Sequence, residues 1–150
     1  MDKIYLRKAR KNDMKLLFEW ANDPVVRVNS FTNERISLED HKEWFKNKMN
    51  SNNSEIYILC YNDQPAGQIR IDIENKKGII NYSISKNFRG CGLGSIIIDL
   101  INDKAKKDLP KLEKLIGKVK EENIGSIKCF EKNDYNKREK EDIFIFEKEL

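Results

Sequence analysis

The segment Arg89-Gly90-Cys91-Gly92-Leu93-Gly94 has the residue types of a phosphate-binding turn. Three glycines let the backbone approach a ligand without a Cβ in the way. The segment follows a predicted strand and opens a predicted helix, whose first N–H groups have no partner within the helix and lie at its positive end. The segment therefore predicts a site for a phosphate or pyrophosphate group.

Two other phosphate-binding motifs fit this turn poorly. A P-loop needs a Lys and then a Ser or Thr after its last glycine, whereas Ser95 and Ile96 follow Gly94. A dinucleotide-binding fingerprint belongs to a βαβ unit with an acidic residue about 20 positions further on. The runs before Arg89 are instead separated by hairpin-length turns, which predict an antiparallel meander.

At these residues the chain resembles the GNAT family of N-acetyltransferases. The family's acetyl-CoA loop reads Arg/Gln-x-x-Gly-x-Gly/Ala, and Arg89, Gly92 and Gly94 match it at the same place, after the fourth strand. The resemblance implies acetyl-CoA as co-substrate, with loop N–H groups on its pyrophosphate and the fourth strand along its pantetheine arm. The cofactor-binding residues that it implies are Tyr82, Ile84, Arg89, Gly90, Cys91, Gly92, Leu93, Gly94, Ser95 and Asn123.

A second part of the resemblance follows the predicted fifth strand. Many members have an Asn there, which Asn123 matches, and a Tyr seven residues later that protonates the leaving CoA thiolate. This chain has Phe130 at the position of that Tyr. The alternatives for the acid are Tyr135, Cys129 and water, and we take Tyr135 as the predicted catalytic residue.

A third part of the resemblance concerns the amine. The segment from Trp20 to Phe45 resembles GNAT enzymes that acetylate the 4-amino group of UDP-linked amino-dideoxy sugars in pseudaminic acid biosynthesis. It is also similar to ribosomal-protein and antibiotic-modifying relatives. Its flat aromatic faces suit a sugar or a uracil, and its amides and guanidinium suit polar contacts. The predicted substrate-binding residues are Trp20, Asn22, Arg27, Asn29, Phe31 and Trp44.

The reaction implied is direct attack of a neutral primary amine on the thioester carbonyl within a ternary complex. His41 is the only histidine and the first candidate for the base, because an imidazole titrates near neutral pH. Glu34 and Ser83 are candidates for a proton relay through water, and a backbone N–H near Ile84 would polarise the thioester oxygen. The predicted catalytic residues are therefore His41, Glu34, Ser83 and Tyr135.

Other function classes remain open beside this one. A ribosomal-protein, peptide or antibiotic N-acetyltransferase would share the donor and differ in the acceptor. A module that senses acyl-CoA without turnover is favoured by the phenylalanine at position 130. A nucleic-acid-binding domain has little support, because the basic residues are interleaved with acidic ones rather than gathered on one face.

The bulk composition fits one domain over residues 1–150. The net charge of +4 is a small positive excess that favours an anionic ligand, and we expect no nucleic-acid partner. Cys60, Cys91 and Cys129 lack a paired metal spacing, which predicts free thiols, no metal and a reducing cytoplasm. We find no signal peptide and no apolar run of about 18 residues, so we expect no membrane partner. The oligomeric state stays open, with a homodimer among the alternatives.

The elements that position these residues follow from the apolar spacing, which predicts the order β-α-α-β-β-β-α-β-α-β and one more short strand near Tyr135. The predicted strands cover residues 4–9, 55–61, 67–73, 78–85, 115–119 and 142–146. The predicted helices cover residues 13–21, 38–48, 92–106 and 124–132. The resulting fold class is α/β (α+β), a single GNAT domain with a mixed, mostly antiparallel sheet, splayed fourth and fifth strands and flanking helices.

Overall fold

A computed structural model describes residues 2–150 of the chain. The strands are β1 Ile4–Lys8, β2 Ser54–Tyr61, β3 Gln64–Glu74, β4 Lys77–Ile84, β5 Lys114–Lys120, β6 Asn136–Lys140 and β7 Ile143–Glu149. The α-helices are α1 Met14–Ala21, α2 Pro24–Asn29, α3 Leu38–Met49, α4 Leu93–Asp108 and α5 Ile124–Lys132. This order confirms the predicted elements, including the short strand near Tyr135, and adds α2.

The strands form one sheet in the order β1-β2-β3-β4-β5-β7-β6. The neighbouring strands are antiparallel apart from the parallel pair of β4 and β5. A parallel pair needs a long crossover, which α4 supplies between these two strands. The sheet confirms the predicted mixed and mostly antiparallel architecture.

Helices cover both faces of the sheet. The alternation along β2 shows this, because Tyr57 and Leu59 pack in the cluster with α4 whereas Ile56, Ile58 and Cys60 pack in the cluster with α1 and α3. Within residues 2–150, no helix is long and apolar enough to cross a membrane, and no group of three or more His, Cys, Asp or Glu side chains is placed to hold a metal ion.

The helix α2 begins directly after the predicted end of α1. Asp23 accepts hydrogen bonds at Oδ1 from the N–H groups of Val25, at 2.9 Å, and Val26, at 3.4 Å, and Pro24 takes the first helical position. An Asp cap and a Pro at this position are both typical of a helix start. The prediction that α1 stops before Pro24 is confirmed, and the sequence analysis missed the helix that starts there.

The strands β4 and β5 separate half-way along their length. They are paired only as far as Ile80 and Gly117, although both strands continue beyond these residues. β4 stays paired with β3 through Ile84. Residues 81–84 therefore present a strand edge to the gap, which confirms the predicted splay.

Candidate active site

The gap between β4 and β5 forms a first cavity of about 450 Å³. Residues 81–84 line one wall, and Lys118 and Val119 of β5 line the other. The glycine turn before α4 and the start of α5, with Asn123, complete the lining. The cavity thus combines an unpaired strand edge with the N-terminus of a long helix.

Gly90 and Gly92 set the shape of the turn. Their φ angles are +79° and +80°, in the left-handed region that residues with a Cβ avoid. Within the described chain, a Cβ built on either glycine has no neighbouring atom within 4 Å, so both face open space. Gly92 is also the N-cap of α4 and has no side chain to accept from the first N–H groups of that helix. The turn is therefore suited to an anionic group.

Arg89 connects this turn to two other elements. Its Nε donates to the carbonyl oxygen of Ile84 at 3.0 Å, and its Nη2 donates to Oδ1 of Asp23 at 3.0 Å. Burial acts to raise the pKa of Asp23, but Arg89 and the helix N–H groups outweigh it, so this pKa lies below its ordinary value. Arg89 therefore joins the turn to the start of α2.

A second cavity of about 550 Å³ lies between the segment from α1 to α3 and the sheet. Its aromatic lining consists of Trp20, Phe31 and Trp44. The residues that it shares with the first cavity are Val26, Ser30, Phe31, Asn81 and Ser83. The two cavities therefore adjoin at these residues.

The side chains of β4 alternate between the two cavities. Asn81 and Ser83 face the second cavity, where Nε2 of Gln68 donates to Oδ1 of Asn81 at 3.2 Å and to Oγ of Ser83 at 3.3 Å. Tyr82 faces the opposite side, and its hydroxyl donates to Oγ of Ser126 at 2.8 Å. One strand thus carries polar groups on both sides of the junction.

The family of this protein follows from its match to a family model. A family model described as an acetyltransferase (GNAT) domain matches residues 3–136. The chain belongs to the GNAT acetyltransferase family. It is an acetyl-CoA-dependent N-acetyltransferase that acts on amines, with acetyl-CoA as its co-substrate.

Solved structures share the fold of this acetyltransferase at low sequence identity. A domain from Methanocaldococcus jannaschii is 24% identical, with a TM-score of 0.86 over 100% of both chains. The spermidine N-acetyltransferase of Vibrio cholerae, solved with CoA and spermine, is 14% identical, with a TM-score of 0.87 over 97% of this chain and 95% of that one. The N-acetyltransferase PseH of Campylobacter jejuni is 17% identical, with a TM-score of 0.74 over 98% of both chains. A search of the curated proteins finds no match.

The residues predicted to bind the cofactor lie around the first cavity, with one exception. Those that line it are Tyr82, Ile84, Arg89, Gly90, Gly92, Leu93, Gly94, Ser95 and Asn123. Asn123 also caps α5, because its Oδ1 accepts from the N–H of Ser126 at 3.3 Å. Cys91 is exposed and lies outside the lining, with its Sγ 3.7 Å from the carbonyl oxygen of Arg89.

The residues predicted to bind the substrate lie in three different places. Trp20, Arg27, Phe31 and Trp44 line the second cavity, and Asn29 lines the first. Asn22 lies outside both linings, where its side chain donates to and accepts from the backbone of Ile36, at 2.8 Å each. Its contacts hold the end of α1 against the residues before α3.

Arg27 is held by its own segment. Its guanidinium donates to the carbonyl oxygens of Ala21, at 2.7 Å, and of Thr32 and Glu34, at 3.2 Å each. Its Nη2 also donates to Oγ of Ser30 at 3.2 Å. These bonds shape the loop that forms one wall of the second cavity.

Three of the four predicted catalytic residues, His41, Glu34 and Ser83, line the second cavity. The His41 side chain is only 3% exposed, and its Nε2 lies 3.1 Å from the carbonyl oxygen of Met14. Burial lowers the pKa of His41 below its ordinary value, although the contact with Met14 opposes this. A neutral imidazole that donates from Nε2 keeps its basic lone pair on Nδ1.

Tyr135, the fourth predicted catalytic residue, lies in the core away from both cavities. Its ring centroid is 5.0 Å from that of Phe130, and its hydroxyl has no hydrogen-bond partner within residues 2–150. Tyr82, predicted only to contact the cofactor, lines the first cavity and also carries a hydroxyl, which was not predicted as a functional group. The signal for it was the alternation along β4, which places Tyr82 on the same face as the buried Ile80.

Proposed function

We propose that this acetyltransferase acetylates the 4-amino group of a UDP-linked amino-dideoxy sugar by direct attack. We name the first cavity the donor cavity, for acetyl-CoA, and the second the acceptor cavity, for the amine. Direct attack is supported by the junction of the two cavities at Asn81 and Ser83. Two reactants that are held side by side need no further encounter, which supplies much of the rate.

The observation that carries the choice of amine is the lining of the acceptor cavity. Its aromatic side chains offer flat faces for a sugar or a uracil ring. Its charged side chains are three guanidinium groups and two carboxylates, which are Arg27, Arg35, Arg70, Glu34 and Asp40. Among them, the guanidinium of Arg35 is exposed and has no carboxylate partner within the described residues, which favours an amine that carries a diphosphate over a polyamine such as spermidine.

Arg35 is the guanidinium that we assign to the diphosphate. The guanidinium of Arg27 already donates hydrogen bonds to three backbone oxygens. Arg70 pairs with Asp72 at 2.9 Å and lies over the ring of Trp44, with 5.0 Å from its Cζ to the ring centroid. Arg35 is exposed, so it is available to a ligand at the mouth of the cavity. Guanidinium groups bind phosphate oxygens in pairs, which suits this role.

The amine loses its proton on the acceptor side of β4 in this proposal. A lysine-like amine has a pKa of about 10.4, and the oxygens around a sugar ring lower that of a 4-amino group, so a modest base is sufficient. We assign His41 as this base, with Glu34 and Ser83 relaying the proton through water. A backbone N–H of β4 near Ile84 polarises the thioester oxygen.

The test is release of CoA thiol in a panel of amines at matched concentrations. The panel contains the UDP-linked 4-amino sugar, the same amino sugar without UDP, spermidine, kanamycin and a peptide with a free N-terminus. We expect the highest kcat/KM for the UDP-linked sugar and a large loss when UDP is removed. A higher kcat/KM for spermidine or the peptide, or no effect of UDP, would refute the proposed acceptor.

A further inference from the structure

We propose that Tyr82 is the general acid of this acetyltransferase and protonates the sulfur of CoA as the C–S bond breaks, with Ser126 as its hydrogen-bond partner. This inference rests on acetyl transfer from CoA bound in the donor cavity, and it is independent of which amine is the acceptor. The sequence predicted only that Tyr82 contacts the cofactor along β4, whereas here its phenol takes part in the reaction.

The position of Tyr82 relative to the end of the donor cavity supports this role. A pantetheine arm that enters from the glycine turn extends no deeper than the point where β4 and β5 pair, at Ile80 and Gly117. The ring of Phe130 packs directly against Gly117 and closes this end. Tyr82 lies two residues from Ile80 on β4, lines the cavity and turns its hydroxyl toward α5. An arm that reaches this closed end places the sulfur at its tip beside Tyr82.

The other candidates for the acid are placed less well. Phe130 has no hydroxyl, and the hydroxyl of Tyr135 is buried outside both cavities. Cys129 lines the donor cavity, but it carries a thiol, the same group that the reaction must protonate. Within residues 2–150, Tyr82 is thus the tyrosine that lines the donor cavity and whose hydroxyl has a hydrogen-bond partner.

Tyr82 and Ser126 form a pair in which either hydroxyl is able to donate. Burial raises the pKa of Tyr82, the neighbouring Cys129 thiol adds to this and the contact with Ser126 opposes it, so the phenol is protonated throughout the working range of pH. When Tyr82 gives its proton away, the Ser126 hydroxyl turns to donate to the phenolate oxygen. This contact stabilises the charge that develops on Tyr82 during the transfer.

The amine nitrogen forms a bond to the thioester carbon, and the C–S bond breaks with its electron pair going to sulfur. Sulfur takes the phenolic proton of Tyr82, and the nitrogen loses its proton on the opposite face of β4. Solvent returns a proton to the phenolate after CoA leaves. The acid and the base therefore act on opposite faces of one strand, and each proton has its own route.

The first test compares Tyr82→Phe with the unchanged protein, using hydroxylamine as a small acceptor that does not depend on sugar or peptide recognition. The uncatalysed cleavage of the thioester by hydroxylamine is measured without protein and subtracted. We expect kcat to fall by about 10²-fold, the low end for general acid–base catalysis, because a thiolate is a tolerable leaving group. The KM for acetyl-CoA should stay unchanged. Tyr5→Phe is the matched control. Tyr5 lies on the edge strand β1, and its exposed hydroxyl donates to Asp63. The kcat of this variant should equal that of the wild type.

The second test replaces Tyr82 with fluorotyrosines, which keep the ring and lower the pKa of the hydroxyl in steps. A general acid must be protonated, so kcat should acquire a high-pH limb that moves down with each added fluorine. A structural tyrosine would leave the pH profile unchanged. An unchanged kcat in Tyr82→Phe, or a wild-type profile in the fluorotyrosine proteins, would overturn the role of Tyr82 alone. Absence of wild-type acetyl transfer to hydroxylamine and to the whole amine panel would overturn the acetyl-transfer activity on which this inference rests.

Discussion

The Nη2 atom of Arg89 lies 3.0 Å from Oδ1 of Asp23, and this ion pair joins the glycine turn before α4 to the start of α2. The two residues are 66 positions apart in the chain. The same oxygen of Asp23 caps α2, whose Val26 lines both cavities. One partly buried carboxylate therefore sets the position of the turn and of the helix between the cavities.

This relationship predicts that the effects of Asp23→Ala and Arg89→Ala on stability are coupled. Asp23→Ala should lower the free energy of unfolding by about 1 kcal/mol through loss of the cap, and by more through loss of the ion pair. A double-mutant cycle, measured by urea unfolding, should give a coupling energy of about 0.5–3 kcal/mol.

The exposed pair of Lys137 and Glu131, 3.6 Å apart, is the matched control for that cycle. Solvent screens such a pair, so its coupling energy should be small, about 0.2–1 kcal/mol. If the coupling between Arg89 and Asp23 is no larger than that of the control pair, the two elements are positioned independently.

Gly92→Ala should weaken binding of acetyl-CoA. An added Cβ would project into the open space of the turn at a φ of +80°, where it obstructs the pyrophosphate and costs about 1–2 kcal/mol of strain. The measurement is isothermal titration with acetyl-CoA. Asn75→Ala is the control, because it places an alanine at a φ of +48° in the turn between β3 and β4, at the far end of β4. Equal affinity in the folded Gly92→Ala and Asn75→Ala proteins would show that the turn does not hold the pyrophosphate.

His41→Gln should lower kcat by about 10²- to 10⁴-fold, the usual contribution of a general base. Burial holds the pKa of His41 below its ordinary value, so the imidazole is neutral and basic at neutral pH. The wild-type kcat should fall as the pH drops through this lowered pKa, and His41→Gln should lack that limb. The measurement is the pH profile of acetyl transfer at saturating concentrations of both substrates.

Stability provides an independent check on the environment of His41. Its lowered pKa means that the unfolded chain binds the proton more readily, so the free energy of unfolding should decrease as the pH falls below about 6.5. His41→Gln should lose this part of the pH dependence while its affinity for acetyl-CoA stays that of the wild type. If both pH dependences survive the substitution, His41 is neither the base nor a buried titrating group.

Arg35→Ala should raise the KM for a UDP-linked amino sugar and leave the KM for the same sugar without UDP unchanged. The reason is that the guanidinium contacts the diphosphate and not the reacting amine. Arg138→Ala, on the exposed strand β6, removes the same charge far from the cavities and is the control. An equal change in KM for both sugars would contradict the assignment of Arg35 to the diphosphate.

Much of the fold was predictable because the relevant signals are local. The glycine turn, the apolar spacing of α4 and the hairpin turns lie within short windows of sequence, so the order of the helices and strands along the chain followed from them. The helix α2 was missed because Asp23 and Pro24 both end one helix and start the next. The prediction used these two residues only as the end of α1. An Asp cap followed by Pro is equally a start signal.

The missed parts of the site depend on contacts between distant positions. The sequence analysis assigned Arg89 to the cofactor, and its bond to Asp23 connects positions that no local pattern relates. The contact between Tyr82 and Ser126 likewise joins β4 to α5, 44 positions later. For Tyr135, the resemblance suggested a phenol near the thiolate, and only the packing against Phe130 reveals that its hydroxyl is buried.

In the proposed reaction, acetyl passes directly from CoA to an amine where the two cavities meet. The most direct measurement is a rapid-quench single turnover with acetyl-CoA labelled in its acetyl group and the UDP-linked 4-amino sugar as acceptor. We predict that label disappears from acetyl-CoA and appears on the amine at the same rate, with one thiol released per acetyl transferred and no label on the protein. Label that appears on the protein first and then moves to the amine, or thiol release without an acetylated amine, would rule out direct transfer.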